Sequence, residues 1–339
     1  MNSSSGRSEF TFIDLFAGIG GIRLPFDELG GKCVFSSELD KYSQITYEAN
    51  HGEMPHGDIT LIPPKDIPKH DLLLAGFPCQ AFSQAGQKKG FHDARGTLFF
   101  YVANILNQHR PAAVLLENVK RFRTHDKGNT LRVVTEIMED LGYTFTTQVL
   151  SARDFGVPQH RERIYMVGLQ NGHEFKFPKP LNTPTRVGDI LESSSDTKKY
   201  TISDDLWKGH LRRKAEHIRK GNGFGYQLFN ESSTHTSTLS ARYYKDGSEI
   251  LLEQNNQNPR KLTPREAARV MGFPDSFNIV VSDSQAYKQF GNSVCVPVIR
   301  AIAKSLVPDI LNVKNVHAKK KSLVELQGRI PVKGVLLPG

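Results

Sequence analysis

The stretch Asp71-Leu72-Leu73-Leu74-Ala75-Gly76-Phe77-Pro78-Cys79-Gln80 decides how the chain is read. A short, wholly apolar run opened by an acid and closed by Gly-Phe-Pro has the pattern of a strand buried on both faces, as in a parallel sheet. Pro78 fixes its own φ and has no N–H to donate, so the ladder stops there and Cys79 is delivered into a loop at the strand's C-terminal end. Open α/β sheets bind their ligands at that end. A lone cysteine is more often a buried packing residue; the elements around this one turn the reading toward a presented nucleophile.

Upstream, Thr11-Phe12-Ile13-Asp14-Leu15-Phe16 is strand-like and runs into Ala17-Gly18-Ile19-Gly20-Gly21 and then a helix-compatible segment. Strand, glycine turn, helix is the first unit of a nucleotide-binding sheet, but G-x-G-G lacks the third glycine of the dinucleotide fingerprint. A second strand, Lys32 to Ser37, ends on Glu38, where an acid is positioned to accept hydrogen bonds from ribose hydroxyls. Asp58-Ile59 supplies a further carboxylate at a third strand or turn, where an adenine amino group could be read.

Downstream, the polar and basic loop Gln80 to Gly90, with Ser83, Lys88 and Lys89, has the composition of a lid over a phosphate backbone. A helix over 97–109 follows, then the strand Ala112 to Leu116 ending on Glu117-Asn118-Val119. A helix near 130–141, a strand from Thr146 to Leu150 and the turn Phe155-Gly156-Val157-Pro158 lead to Gln159-His160-Arg161-Glu162-Arg163 and a strand beginning Ile164-Tyr165. In extended backbone Arg161 and Arg163 share a face; taken alone, R-x-R reads as a solvated strand edge.

The 339 residues suffice for a large core and two lobes. A formal charge of +9 favours polyanionic partners. The widely spaced Cys33, Cys79 and Cys295 make neither a disulfide framework nor a metal cluster, and no metal is expected. Without a run of about 18 apolar residues or a signal-peptide pattern, the expectation is a cytoplasmic protein with no membrane contact.

Past Phe177-Pro178-Lys179-Pro180 the composition changes. Residues 181–263 carry a serine-rich stretch, the basic cluster Arg212-Arg213-Lys214, the run Gly221 to Tyr226, and Thr238-Leu239-Ser240-Ala241-Arg242-Tyr243-Tyr244. The pattern predicts a smaller lobe of short strands and loops; the basic cluster suits either a solvated helix face or phosphate contact. Thr263-Pro264-Arg265-Glu266 is a capping box that starts a helix and returns the chain to the first lobe. Gly291-Asn292-Ser293 leads to a last helix near 296–306, and the tail 311–339 has no assigned role.

Phe16-Ala17-Gly18-Ile19-Gly20-Gly21, Gly76-Phe77-Pro78-Cys79-Gln80, Glu117-Asn118-Val119, Gln159-His160-Arg161-Glu162-Arg163 and Gln289-Phe290-Gly291-Asn292-Ser293-Val294 together resemble the ordered motif set of the DNA (cytosine-5) methyltransferases, over residues 10–305. The resemblance implies a doubly wound, mostly parallel Rossmann-like sheet: a catalytic domain over 1–180, a target-recognition lobe over 181–263 and a completing segment over 264–310. It implies S-adenosyl-L-methionine held by Phe16, Gly18, Gly20, Gly21, Glu38, Asp58, Ile59, Pro78, Asn292 and Ser293. It implies Cys79 as nucleophile, Glu117 on the base's N3 and amine, Arg163 on its O2 and Arg161 in support. Duplex DNA would be the partner, contacted by Gln80, Ser83, Lys88, Lys89, Thr238 and Arg242. The chain would work as a monomer on DNA, in a bacterial nucleoid, with a companion restriction endonuclease left open. Residues 223–226 and 238–251 are similar to the variable region of bacterial enzymes acting on CCWGG or CCNGG. A tRNA-modifying branch with the same motifs and a catalytically silent nucleic-acid-binding module are the competing readings.

Overall fold

The computed structural model describes residues 9–78, 98–170, 172–193 and 195–327. Cys79, Gln80, Ser83, Lys88 and Lys89 lie outside them.

β1 (Phe10–Leu15), β2 (Gly31–Ser37), β3 (Leu72–Ala75), β4 (Ala113–Val119), β5 (Thr144–Ser151) and β6 (Glu162–Leu169) form one sheet in the order β2-β1-β3-β4-β6-β5. β1 pairs in parallel with β2 and β3, and β3 with β4; β6 runs antiparallel to both β4 and β5. The expected mostly parallel sheet is present, with one reversed strand inserted. Strand order reverses between β1 and β3, which opens a crevice at their C-terminal ends.

All four residues of β3 are buried, and strand periodicity divides them between two cores. Leu72 and Leu74 join Phe12, Phe26, Leu115 and Val167 on one face, against α1 (Arg23–Glu28) and α8 (Val296–Gln327). Leu73 and Ala75 join Ile13, Val114, Val102 and Ile137 on the other, against α3 (Leu98–His109) and α4 (Asn129–Asp140). Asp71, the acid that opens the run, accepts from Thr11 N–H at 2.8 Å and from Lys314 Nζ at 2.9 Å, fixing the starts of β1 and β3 against α8.

α2 (Lys41–His51) follows β2. Residues 181–263 contribute α5 (Asp204–Arg219) and two strands of two residues each, β7 (Leu228–Phe229) and β8 (Leu251–Leu252). Their apolar side chains Val187, Leu239, Tyr243, Ile250 and Leu262 belong to the same cluster as the first face of the large sheet, so the core is shared rather than separate. The basic cluster lies on α5, which is exposed over most of its length; Arg213 pairs with Asp246 at 3.3 Å. α6 (Pro264–Val270) begins with the expected capping box, and its Glu266 is also gripped by Arg260 at 2.7 and 2.8 Å. α7 (Asp283–Asn292) then runs into α8.

The last helix departs from expectation. Instead of stopping near 306, it passes through Pro308 to Gln327, with Ile310 and Val313 buried. The boundary expected at 311 therefore falls inside a helix. Burying those two side chains outweighs the one intrahelical bond that proline removes.

Candidate functional site

The crevice is a cleft of about 550 Å³, within the size range of small-molecule sites. Its floor is the turn after β1. Phe16 takes a left-handed φ of 54°, uncommon for an aromatic residue, and Gly20 follows at 82°. A Cβ at Gly20 would lie 2.0 Å from His51 Nε2, and one at Gly21 2.6 Å from Ser293 Oγ. The glycines are thus required by close approach, with α2 behind the turn and Ser293, at the end of α7, in front.

Glu38, at the tip of β2, accepts Gly18 N–H at 2.7 Å and Asp40 N–H at 2.8 Å. It therefore shapes the glycine turn as well as lining the cleft. Asp58 caps a short 3₁₀ turn through Thr60 N–H at 2.9 Å, and Ile59 is buried beside it. Phe16, Leu39 and Ile59 give this end apolar walls, while Asn292 and Ser293 close it from the far end of the chain. Gln289 ties that closing segment down, accepting from Thr46 Oγ1 at 3.1 Å and donating to Tyr42 O at 2.9 Å. An apolar slot flanked by carboxylates over a glycine turn fits a nucleoside carrying ribose hydroxyls.

At the other end stand Pro78, Glu117 and Arg163. β4 and β6 pair Glu117 with Tyr165 and Val119 with Arg163, so Glu117 and Arg163 share one face of the sheet, 3.3 Å apart. The reversal of β6 is what brings them together. Asn118 Nδ2 donates to Phe77 O at 2.8 Å and so fixes the backbone leading to Pro78. Burial pushes the Glu117 carboxyl above its usual range, opposed by the charges of Arg163 and Arg161. Burial, and then the neighbouring Arg163, pull Arg161 down to about 10, which leaves it charged at neutral pH.

Arg161 is not on a solvated edge: it is buried, and its guanidinium donates to Leu239 O, Gly291 O and Ser293 O at 2.9, 3.1 and 2.6 Å. Expected to support the Arg163 site, it faces the backbone of two other segments. Gln159, given no role from sequence, is fully buried; it accepts Leu239 N–H at 2.9 Å and donates to Val270 O at 2.9 Å. The signal was present in the period-two alternation of Gln159, Arg161 and Arg163. Thr238 donates to His160 O at 2.6 Å, joining the lobes, and Arg242 is exposed on the following turn. Neither is among the residues that line the cleft.

Cys33 and Cys295 are buried, and burial pushes their thiols up to about 12 and about 11. Neither suits thiolate chemistry at neutral pH. A second polar group missed from sequence is Asp14, fully buried in β1 behind the turn and bonded by Tyr47 OH at 3.4 Å. Burial raises its carboxyl well above the usual range. Among the described residues no group of side chains has the make-up of a metal site, and no helix is long and apolar enough to cross a membrane.

The family model for C-5 cytosine-specific DNA methylases matches residues 10–308. A Type II methyltransferase of Neisseria lactamica, M.NlaX, is 62% identical over 301 residues, covering 88% of this chain and 96% of the relative. M.DsaV of Dactylococcopsis salina, also a Type II methyltransferase, is 61% identical over 305 residues, covering 89% and 87%. Among solved structures, the S. pombe Dnmt2 methyltransferase shares the fold at a TM-score of 0.72 and 22% identity, covering 88% of this chain and 99% of that one.

Proposed function

The chain belongs to the C-5 cytosine-specific DNA methylase family and is a DNA (cytosine-5) methyltransferase of the Type II kind, and from that premise we propose that it modifies the inner cytosine of CCWGG or CCNGG duplex sites through a covalent adduct of Cys79. The observation that carries the mechanism is the Glu117–Arg163 pair set beside Pro78 in the same cleft as the glycine turn.

Carbon 5 of cytosine is a poor nucleophile. Addition of a thiolate to carbon 6 makes carbon 5 electron-rich, and Cys79 is the group for this, the other two thiols being buried and raised. Glu117, its carboxyl raised by burial, takes up a proton more readily than a free carboxylate, which suits it to share one with N3 and to accept from the exocyclic amine as the adduct forms. Arg163 donates to O2. Once carbon 5 carries the methyl group, transfer of its proton to a water molecule as base re-forms the ring double bond, expels the Cys79 thiolate and frees the methylated base.

S-adenosyl-L-methionine, when bound, supplies the electrophilic methyl group. Phe16, Gly18, Gly20, Gly21, Ile59, Pro78, Asn292 and Ser293 would enclose it, with Glu38 on the ribose and Asp58 on the adenine. A carboxylate can accept about four hydrogen bonds, so the two that Glu38 receives from backbone leave capacity for hydroxyls. A stacked base cannot reach the cleft, and the cytosine must therefore flip out of the duplex. Gln80, Ser83, Lys88, Lys89, Thr238 and Arg242 would contact the DNA.

The test is transfer of labelled methyl groups to duplex DNA, with tRNA as a parallel arm, followed by bisulfite sequencing of the product. DNA labelled within CC(W/N)GG, and no transfer by Cys79→Ser despite retained cofactor binding, is the expected result. Labelled tRNA or an unlabelled pair of substrates would overturn the substrate assignment, another consensus the site, and an active serine variant the covalent step.

A further inference from the structure

Leu239 opens the turn that carries Arg242, and it is fully buried. Both of its backbone polar groups are held by side chains from the segment before β6: its N–H by Gln159 and its carbonyl by Arg161. The same Arg161 holds the carbonyls of Gly291 and Ser293, which line the cofactor end of the cleft. The turn and the end of α7 also touch directly, since a Cβ at Gly291 would lie 2.3 Å from the carbonyl carbon and oxygen of Ser240. Among the described residues Arg161 has no carboxylate partner within ion-pair distance, and its Nε is buried without an acceptor.

A buried charge balanced by three carbonyl dipoles depends steeply on where each carbonyl lies. Displacement of any one of the three changes the bonds available to the other two. We propose that Gln159 and Arg161 are positioning residues that couple target readout to the cofactor pocket. DNA that engages the 238–242 turn sets the Leu239 peptide, Arg161 follows it, and residues 291–293, at the end of α7, are held in their closing position. The coupling is reciprocal, so bound cofactor also favours the turn geometry that reads the target. This inference rests on the proposed reading of the turn as DNA-facing and of the end of α7 as cofactor-enclosing.

The experiment measures S-adenosyl-L-homocysteine binding to the full chain by calorimetry, alone and with a duplex carrying the sequence that bisulfite mapping identifies. For wild type the duplex should tighten binding about 10-fold or more, within the usual range for coupled sites. Gln159→Leu frees Leu239 without touching the cleft lining; its affinity without DNA should stay within about 2-fold of wild type while the tightening by DNA falls below about 3-fold. Arg161→Lys keeps the charge but not the forked geometry, and should lose the coupling as well. Thermal melting identifies any variant that does not fold, and the folded one then decides. A merely structural role would lower the active fraction equally with and without DNA, leaving the ratio unchanged. Wild-type tightening in either folded variant, or none in wild type, overturns the proposal. Failure of wild type to methylate DNA would instead overturn the reading beneath it.

Discussion

The cleft and the region of residues 181–263 are built in different ways. Along the cleft each side chain sits at or near the C-terminal end of a strand whose position the sheet ladder fixes: Phe16 after β1, Glu38 after β2, Pro78 after β3 and Glu117 within β4. In residues 181–263 the strands are two residues long, and backbone groups are satisfied by side chains. Tyr243, fully buried, donates its hydroxyl to Ile250 O and accepts Leu262 N–H, both at 2.7 Å. Thr185 holds Thr234 O, and Gln159 with Arg161 holds Leu239. Ladder geometry tolerates changes of side chain, whereas this second construction is written in individual polar groups, and each one removed leaves a buried backbone partner unmet.

The largest effect is expected at Glu117. Glu117→Gln should slow turnover by about 10²- to 10³-fold, equivalent to roughly 3–4 kcal/mol, while DNA affinity changes by only a few-fold. Equal losses in rate and affinity would make Glu117 a structural residue. Because burial raises its carboxyl, the protonated form persists above the ordinary carboxylate range and disappears as pH rises through that raised value. A kcat limb that falls with rising pH in wild type and vanishes in Glu117→Gln is the expected signature; a limb kept by the variant would assign it to another group.

Next comes the glycine turn. Gly20→Ala forces a Cβ into His51 at a left-handed φ, and should cost about 3 kcal/mol of stability together with cofactor binding. A variant that melts like wild type and binds cofactor would show that the turn yields. In the other construction, Tyr243→Phe keeps the ring but deprives two backbone groups of their partner; a loss of about 1–3 kcal/mol in thermal or urea unfolding follows. Target selectivity should suffer more than binding of S-adenosyl-L-homocysteine in the absence of DNA. An unchanged melting curve would break the contrast between the two regions.

The smallest effect on stability belongs to Arg242, whose side chain is exposed. Arg242→Ala should alter unfolding by less than about 0.5 kcal/mol. If it reads a guanine, methylation should spread to sites changed at one base pair, with discrimination reduced by about 1–3 kcal/mol. A uniform loss of affinity with a shallower salt dependence would make it a phosphate contact instead.

Much of the first construction was legible in the sequence because its signals are local. An apolar run ending in Gly-Phe-Pro, glycines after a strand, an acid at a strand tip and the Thr263–Glu266 capping box each declare themselves within a few residues. The direction of β6 was not legible, since period-two alternation is the same in either direction. Arg161 was ambiguous for a related reason: only the partners at Leu239, Gly291 and Ser293, distant in sequence, make it a core residue. The last helix runs past the expected end near 306 because Ile310 and Val313, distant in sequence from the residues that cover them, are buried in the core. Asp14 and Tyr243 likewise acquire their roles through contacts that no local pattern announces.

The Lys314 contact has a topological consequence. Its ammonium reaches both Asp71 and Glu9 O, the latter at 2.8 Å, so the start of the first strand and the last helix meet within the reach of one side chain. Residues 9 and 314 are therefore neighbours in space. Joining residue 9 to the helix beyond residue 314 by a short flexible linker, and opening the chain at the exposed glycine turn Gly221–Gly223, would give a circular permutant with every strand pairing of the large sheet intact.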